Sequence, residues 1–195
     1  MIKKLLALVL VLGTLFTLAA CKNTENNGSS EEGKATVEYT KGSISNNVYT
    51  NEWANIKFEL DNTTWKQGST ADYQSYESAT TDCGLIAGIS SEGRQLAIIF
   101  EENPGNAATV NVYLDNVKKG MQSVGLTYVF SDYYEKTIAG KKYVGMDATL
   151  AQSGVTVYQS FFATLYDGRF ISFVGTSVTG KDEINSALAK ITALN

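Results

Sequence analysis

The spacing of hydrophobic residues divides this chain of 195 residues into three stretches. Residues 5–20 are almost continuously apolar, and residues 22–42 are polar with few large apolar side chains. From residue 43 onward, apolar positions recur either every second residue or with helical spacing, which indicates strands and helices. We therefore expect an apolar leader at residues 1–20, a flexible linker at residues 21–42 and one folded domain at residues 43–195.

Alternating apolar residues predict eight strands in the folded domain. The dipeptide Asp167-Gly168 indicates a two-residue hairpin before the last strand, because a type I′ turn requires positive φ at both positions. Consecutive hairpins favour a mostly antiparallel sheet. The predicted strands lie at residues 48–50, 56–60, 83–90, 95–101, 127–138, 141–150, 155–165 and 169–178.

Three helices are predicted between and after these strands, at residues 69–79, 108–125 and 179–195. Ser69 with Asp72 and Thr179 with Asp182 have the spacing of a capping box. The order of elements predicts an α+β fold in which a mostly antiparallel sheet is sandwiched between helices. The middle helix has the clearest apolar stripe, formed by Val110, Tyr113, Leu114, Val117 and Met121.

Net charge and the absence of histidine narrow the classes of function. Without Lys3 and Lys4 of the leader, fourteen basic residues stand against twenty acidic residues, a net charge of −6. That balance disfavours nucleic acid as a partner, because such binding depends on neutralising phosphates. A chain without histidine has no Ser-His-Asp triad and no histidine-containing zinc site. We expect no cofactor and no metal.

The N-terminal region has the pattern of a secretory signal. Two lysines precede the apolar run, which as a helix would span about 24 Å, less than the roughly 30 Å hydrocarbon core of a bilayer. The sequence LAAC at residues 18–21 resembles the lipobox of bacterial lipoproteins. That resemblance implies that the Cys21 thiol receives a diacylglyceryl group, whose acyl chains would anchor the mature protein at the extracytoplasmic face of the cell membrane. Ordinary secretion with cleavage near Ala20 and an uncleaved anchor helix are the alternatives.

Several core positions follow from the same patterns. With Cys21 acylated, Cys83 has no disulfide partner, and its alternating apolar surroundings predict a buried thiol that packs like a small hydrophobe. Trp65 is expected to pack inside the domain. Alternation places Phe161 and Phe162 on opposite faces of one strand, as a sheet covered on both faces requires.

The order of elements from residue 43 to residue 195 resembles the PsbP-like fold, which also includes the DcrB-like bacterial lipoproteins. The resemblance implies an antiparallel sheet between helical layers and a protein that acts by binding, with no shared catalytic residues to assign. It is carried by NIKFEL at residues 55–60 with Trp65, YLDNVKKGMQSVG at residues 113–125, TIAGKKYVG at residues 137–145, YDGRFISFVGTS at residues 166–177 and the terminal amphipathic helix.

Aromatic residues are abundant, with eleven tyrosines, eight phenylalanines and two tryptophans. Most of them suit a covered sheet, but some are candidates for an exposed binding surface, because Tyr and Trp are enriched at interfaces. Trp53 in the polar turn TNEWAN is the main candidate, followed by Tyr133 and Tyr134. The expected partner is an envelope protein or a glycan.

Paired carboxylates offer a catalytic chemistry that needs no histidine. Two carboxylates about 5–9 Å apart permit glycoside hydrolysis, and Asp132, Glu135 and Asp147 are the candidates. Glu101-Glu102 with Asn103 and Asn106 lacks the spacing of a calcium loop, so a solvated turn is the better interpretation.

Taken together, the sequence predicts a lipid-anchored envelope lipoprotein that is not an enzyme and binds a protein or envelope component. A carboxylate-based hydrolase of the glycosidase kind is one alternative. A small solute-binding protein is the other, although about 150 folded residues is short for two lobes and a cleft.

Overall fold

The computed structural model describes residues 37–88, 90–103 and 108–194. These residues form three α-helices, α1 (Thr70–Gln74), α2 (Val110–Ser123) and α3 (Lys181–Ala189). They also form the strands β1 (Ser43–Ser45), β2 (Val48–Asn51), β3 (Ile56–Glu59), β4 (Thr81–Ala87), β5 (Arg94–Glu102), β6 (Tyr128–Phe130), β7 (Tyr134–Ile138), β8 (Lys141–Gln152), β9 (Val155–Tyr166), β10 (Arg169–Ser177) and β11 (Ile191–Thr192).

The larger sheet has the strand order β4-β5-β10-β9-β8-β6, and β7 also pairs with β8. Every pairing in it is antiparallel. The predicted hairpin turn between β9 and β10 is confirmed, because Asp167 and Gly168 have φ values of 47° and 74°. In four places strands that are consecutive in sequence lie side by side: β4 with β5, β7 with β8, β8 with β9 and β9 with β10.

A second sheet, with the order β1-β2-β3-β11, lies on one face of the larger sheet together with α3. The opposite face is covered by α1 and α2. The predicted α+β class with mostly antiparallel strands is confirmed. The sequence predicted that helices alone cover both faces of the sheet. On one face the covering layer instead combines α3 with a second sheet.

The buried side chains follow the predicted alternation. In β5, Ile98 and Phe100 point toward the second sheet, whereas Ile99 points toward α1. Phe161 and Phe162 lie in the hydrophobic clusters on opposite faces, as predicted. Two further predictions are confirmed by burial: the exposed fractions are 1% for Cys83 and 3% for Trp65.

The segment predicted as one strand at residues 127–138 is two strands separated by a bulge. Three residues, 131–133, face only residues 146–147 of β8, since Phe130 pairs with Ala148 and Tyr134 pairs with Gly145. One extra residue on an edge strand reverses the face that later side chains occupy. The bulge therefore moves Tyr134 to the face covered by α3.

The helix ends are partly as predicted. The Ser69–Asp72 capping box is present, but α1 ends at Gln74 rather than near residue 79. At α3 the predicted cap is wrong. Gly180 is the N-cap and makes no side-chain cap bond, and the hydroxyls of Ser177 and Thr179 donate instead to the Glu183 carboxylate, both at 2.6 Å.

The final predicted helix ends earlier than expected. The observed helix ends at Ala189, and Ile191 and Thr192 form β11, where they pair with Phe58 and Lys57 of β3. Pairing with β3 satisfies backbone groups at the edge of the second sheet, which a longer helix would leave open.

The packed domain begins before residue 43. Tyr39 contacts Trp53, the Lys41 carbonyl accepts from the Tyr49 hydroxyl (2.8 Å), and the Thr40 carbonyl accepts from Asn51 (2.8 Å). These residues fall in the linker predicted at residues 21–42. The predicted signal peptide and the predicted linker up to residue 36 lie outside the described residues.

Candidate functional site

The predicted lipid-attachment residue, Cys21, lies outside the described residues, so its acylation stays a prediction from the sequence. The described residues begin at Val37, and the ring of Tyr39 already packs against Trp53. In the part of the chain that the structure covers, no helix has the length and apolar character needed to cross a membrane.

The expectation that Trp53 is an exposed anchor is wrong. Its side chain is only 4% exposed, although it lies in the polar turn between β2 and β3. The indole ring makes edge contacts with the rings of Tyr39, Phe100 and Tyr166, at centroid distances of 5.1, 6.0 and 5.0 Å. We call these four residues the Trp53 cluster.

Hydrogen bonds explain why a polar turn buries a tryptophan. The Asn51 side chain, 1% exposed, accepts from the Ala54 N–H and donates to the Thr40 carbonyl, both at 2.8 Å. The Trp53 Nε1–H points toward the Asp167 carboxylate at 3.4 Å. The turn is therefore held against the larger sheet, and its Asn51 side chain bonds to backbone groups instead of facing solvent.

Two cations lie against the rings of the Trp53 cluster. The Arg169 guanidinium lies 3.8 Å from the Tyr39 ring centroid, and Lys141 Nζ lies 3.9 Å from that of Tyr166. Lys141 Nζ also donates to the Ala54 carbonyl at 2.9 Å, and burial lowers the pKa of this lysine. The rim of the cluster is thus cationic as well as aromatic.

The tip of the β9–β10 hairpin exposes apolar side chains that the sequence analysis did not single out. Leu165 is 37% exposed and Tyr166 is 40% exposed. Their exposure could have been inferred from their position directly before the Asp167-Gly168 turn, because a strand residue next to a hairpin turn extends past the layers that cover the sheet. Val37, at the point where the described chain begins, is 49% exposed.

Tyr133 and Tyr134 are exposed, at 36% and 38%, but their side chains lie on opposite faces of the sheet. The Tyr133 hydroxyl donates to Asp115 on α2. The Tyr134 ring packs edge-on against Phe162, with the centroids 5.6 Å apart, on the side of α3. The bulge before β7 produces this arrangement. The two tyrosines therefore straddle the sheet edge rather than forming one flat platform.

Hydrogen bonds fix both tyrosine rings. Asp147 accepts from Tyr134 (3.1 Å) and Ser160 (2.6 Å) and forms an ion pair with Lys181 (2.9 Å). Burial alone would raise the pKa of Asp147, but the hydrogen bonds from Ser160 and Lys181 outweigh it and the pKa is lowered. Burial, together with the nearby Asp115 carboxylate, raises the pKa of Tyr133 to about 12. Burial also raises the pKa of Tyr134, so both hydroxyls stay protonated donors at neutral pH.

Glu101 is not part of a solvated turn, which corrects the sequence-based expectation. It is 3% exposed at the end of β5, and burial raises its pKa to about 7, against a smaller lowering by a hydrogen bond from Tyr113. The Tyr113 hydroxyl in turn accepts from Ser172 at 3.1 Å. Glu102 points the other way and pairs with Arg169 at 2.8 Å. Glu101 and Glu102 therefore cannot bind one cation, and Asn106 lies outside the described residues.

Two of the three carboxylates proposed for hydrolysis, Glu135 and Asp147, are separated by the sheet itself, and the third, Asp132, lies in the bulge between β6 and β7. Glu135 pairs in register with Val144, three residues before Asp147 on β8, so the two carboxylates leave opposite faces. Glu135 also forms an exposed ion pair with Lys142 at 3.2 Å. Within residues 37–88, 90–103 and 108–194, no group of three or more acidic or cysteine side chains is placed to hold a metal ion.

Comparison with solved structures identifies the fold. The solution structure of cyanobacterial PsbP (CyanoP) from Synechocystis sp. PCC 6803 is similar to this chain with a TM-score of 0.52 and 14% sequence identity. The match covers 86% of this chain and 98% of that chain. The chain has the PsbP-like fold. The resemblance inferred from the order of its elements is thereby confirmed at the level of the fold.

Other structures are more distant from this PsbP-like domain. LpqN from Mycobacterium tuberculosis, described as involved in cell envelope biogenesis, has a TM-score of 0.43 and 13% identity over 70% of this chain and 82% of that chain. A protein of unknown function, PA94 from Pseudomonas aeruginosa, has a TM-score of 0.37 and 10% identity over 65% of this chain and 94% of that chain. No family model and no curated protein matches the chain.

Proposed function

We propose that this protein is a lipid-anchored lipoprotein at the extracytoplasmic face of the cell membrane and acts by binding rather than by catalysis. The lipid would be attached to Cys21, and the PsbP-like domain would bind an envelope protein or a glycan. Support for the anchor comes from the sequence: a basic start, a short apolar run and the LAAC motif at residues 18–21.

One observation carries the binding function: Tyr133 and Tyr134 are exposed and held in place by hydrogen bonds at the sheet edge. Each ring loses little further freedom when a partner contacts it, because its hydroxyl is already bound to Asp115 or Asp147. A bulge at an edge strand commonly re-aims side chains toward a functional surface. The Tyr133–Tyr134 edge is therefore our candidate contact surface.

The positions of the carboxylates favour binding over hydrolysis. Glycoside hydrolysis needs two carboxylates on either side of one bond, whereas Glu135 and Asp147 lie on opposite faces of the sheet. The lowered pKa of Asp147 also makes it a poor general acid. Glu101 has the raised pKa of an acid catalyst, but the side chain that bonds to it is Tyr113, whose hydroxyl accepts from Ser172, and not a second carboxylate.

The anchor is tested by mass spectrometry of the mature protein from cells fed labelled palmitate. We expect a chain that begins at Cys21 and carries the mass of a diacylglyceryl group. Cys21→Ala should abolish the label, whereas Cys83→Ala should retain it because that thiol is buried. Retention of label by Cys21→Ala, or a mature chain that starts elsewhere without lipid, would contradict the anchor.

The contact surface is tested with a photo-cross-linking amino acid placed at residue 133 or 134 in living cells. We expect the same discrete adduct from both positions, and no such adduct from the exposed control Gln122 on α2. Glycan partners are tested separately, by binding of purified cell-wall fragments to the unmodified protein and to Tyr133→Ala. Equal adducts from all three positions, with no glycan binding, would contradict this surface.

A further inference from the structure

Exposed apolar groups lie at the end of the domain that holds Val37–Tyr39, the first residues that the structure describes. Tyr39, two residues after Val37, and Tyr166 at the hairpin tip both contact Trp53, at centroid distances of 5.1 and 5.0 Å. Val37, Leu165 and Tyr166 are 49%, 37% and 40% exposed. We call this end of the domain, formed by Val37–Tyr39 and the hairpin tip at residues 165–169, the hairpin end.

We propose that the hairpin end rests on the lipid bilayer that carries the anchor, so that the domain has a fixed orientation at the membrane surface. This inference rests on the proposed lipid attachment. The hairpin end would contact the interfacial region of the membrane. Tyr and Trp rings are enriched in that region because they combine an apolar body with a polar tip.

The distance along the chain limits how far the hairpin end can lie from the membrane. Sixteen peptide units connect Cys21 to Val37, and a fully extended chain of that length reaches at most roughly 55 Å. The anchor therefore keeps the hairpin end at a high effective concentration beside the bilayer, so contacts too weak to recruit a free protein are enough to orient a tethered one.

The side chains at the hairpin end suit a membrane interface. Pairing of Leu165 with Phe170 places Leu165 on the α2 side of the sheet, while Tyr166 contacts Trp53 on the other side, so the tip presents apolar groups in both directions. Lys141 Nζ lies over the Tyr166 ring at 3.9 Å and supplies a cation at the level of the headgroups.

The charges at this end have both signs. Arg169 is paired with Glu102, and Asp167 accepts from the Trp53 indole. Because the mature chain is also net acidic, we expect the contact to depend on apolar insertion rather than on anionic lipid. Vesicles of phosphatidylcholine should therefore be sufficient.

The experiment measures hydrogen exchange of the mature chain, residues 21–195, coupled through Cys21 to a maleimide lipid in phosphatidylcholine vesicles. Cys83 should not react, because it is 1% exposed and burial raises its pKa. We expect amides at residues 165–169 to exchange at least threefold more slowly than in the uncoupled protein mixed with the same vesicles. Amides of the opposite β8–β9 turn at residues 152–155 should not change.

Variants separate membrane contact from other causes of protection. Leu165→Ser with Tyr166→Ser should remove the protection, and so in part should Leu165→Ser alone, which leaves the Trp53 cluster intact. Val129→Ser, at a 67% exposed apolar residue of β6, is the matched control and should retain it. Equal exchange in the coupled and uncoupled proteins would overturn the proposal, as would protection that survives the double variant.

The result of the hydrogen-exchange experiment does not depend on natural lipidation, because the maleimide lipid takes the place of the natural one. A native chain without lipid would refute the anchor, whereas unprotected hairpin amides on vesicles would refute the membrane contact. Protection of the hairpin end that appears only when a second protein is added would assign this surface to a protein partner and would also overturn the proposal.

Discussion

At the scale of single residues, Trp53 shows how a polar sequence can surround a core side chain. The neighbours Asn51, Glu52 and Asn55 suggested a solvated turn, but the Asn51 amide bonds to backbone groups of the turn and of residue 40. The indole ring is therefore free to pack between the two sheets. The environment of Trp53, rather than its local sequence, determines its role.

Replacing Trp53 tests this structural role. Trp53→Ala should lower the free energy of unfolding by about 3–5 kcal/mol, because it removes a large buried ring and leaves a cavity. Tyr133→Ala, at an exposed ring, should cost about 1 kcal/mol or less. Urea denaturation of both variants measures the difference, and equal losses of stability would show that Trp53 is not a core residue.

Glu101 makes stability depend on pH. Its pKa is raised from 4.5 to about 7 in the folded state by burial, so between these values the folded protein holds a proton that the unfolded chain has released. The stabilisation that comes from Glu101 is therefore fully present below about pH 4.5 and is lost as pH rises to about 7, by at most about 3 kcal/mol.

Glu101→Gln should remove this slope, because the amide does not ionise. Melting temperatures of the wild type and the variant should converge near pH 4.5 and differ at pH 8, where the variant should be the more stable. Asp147 and Glu183 do not obscure the comparison, since their pKa values are lowered and their stabilising effect is lost only at more acidic pH. An unchanged pH slope in Glu101→Gln would contradict the assignment.

At the scale of elements, the packing of α3 on β10 depends on the absence of a side chain at one position. A methyl group at Gly175 would overlap Ile184 Cγ2 of α3. The helix therefore approaches the sheet closely at this glycine, which lets Ile184 reach the hydrophobic cluster that contains Phe162 and Phe173. The alternation in the sequence shows that Gly175 faces the core, but it does not show which helix comes close to it.

We expect Gly175→Ala to cost about 1–3 kcal/mol through overpacking. In a double-mutant cycle, adding Ile184→Ala should relieve part of this cost, with a coupling of about 1 kcal/mol or more. Gly168→Ala is the control: it strains a residue with φ of 74° but meets no atom within 4 Å, so its cost should add to that of Ile184→Ala. Additive losses for Gly175→Ala and Ile184→Ala would contradict the close contact.

At the scale of the whole molecule, the two sheets share one hydrophobic cluster. Tyr49 and Phe58 of the second sheet, Phe100 and Phe173 of the larger sheet, and Leu188 of α3 belong to it. Neither sheet has a separate core on that side, so we expect the domain to fold and unfold as one unit.

Cooperative unfolding is tested with two probes. Tryptophan fluorescence reports on the shared cluster, which contains both Trp53 and Trp65, and far-UV circular dichroism reports on all strands and helices. Their midpoints in urea should coincide. With Trp65→Phe, which leaves Trp53 as the single reporter, the two midpoints should still agree. Separate transitions would show that the second sheet unfolds independently.

The sequence by itself determined the α+β class and the pairing of β9 with β10, because these depend on periodicity and on a turn that needs positive φ; the leader and the acylation of Cys21 stay predictions from local composition and the LAAC motif. It also predicted the burial of Cys83 and Trp65 and the division of Phe161 and Phe162 between two faces. Each of these features can be inferred from the alternation of apolar and polar residues within a single segment.

Only the tertiary structure decided the burial of Trp53, the raised pKa of Glu101, the opposite faces of Tyr133 and Tyr134, and the pairing of β11 with β3. Each depends on contacts between residues far apart in sequence, or on a single bulge residue that reverses alternation. Because periodicity shows which side of an element is apolar but not what covers that side, a sequence cannot distinguish an exposed aromatic from one that a distant hairpin covers.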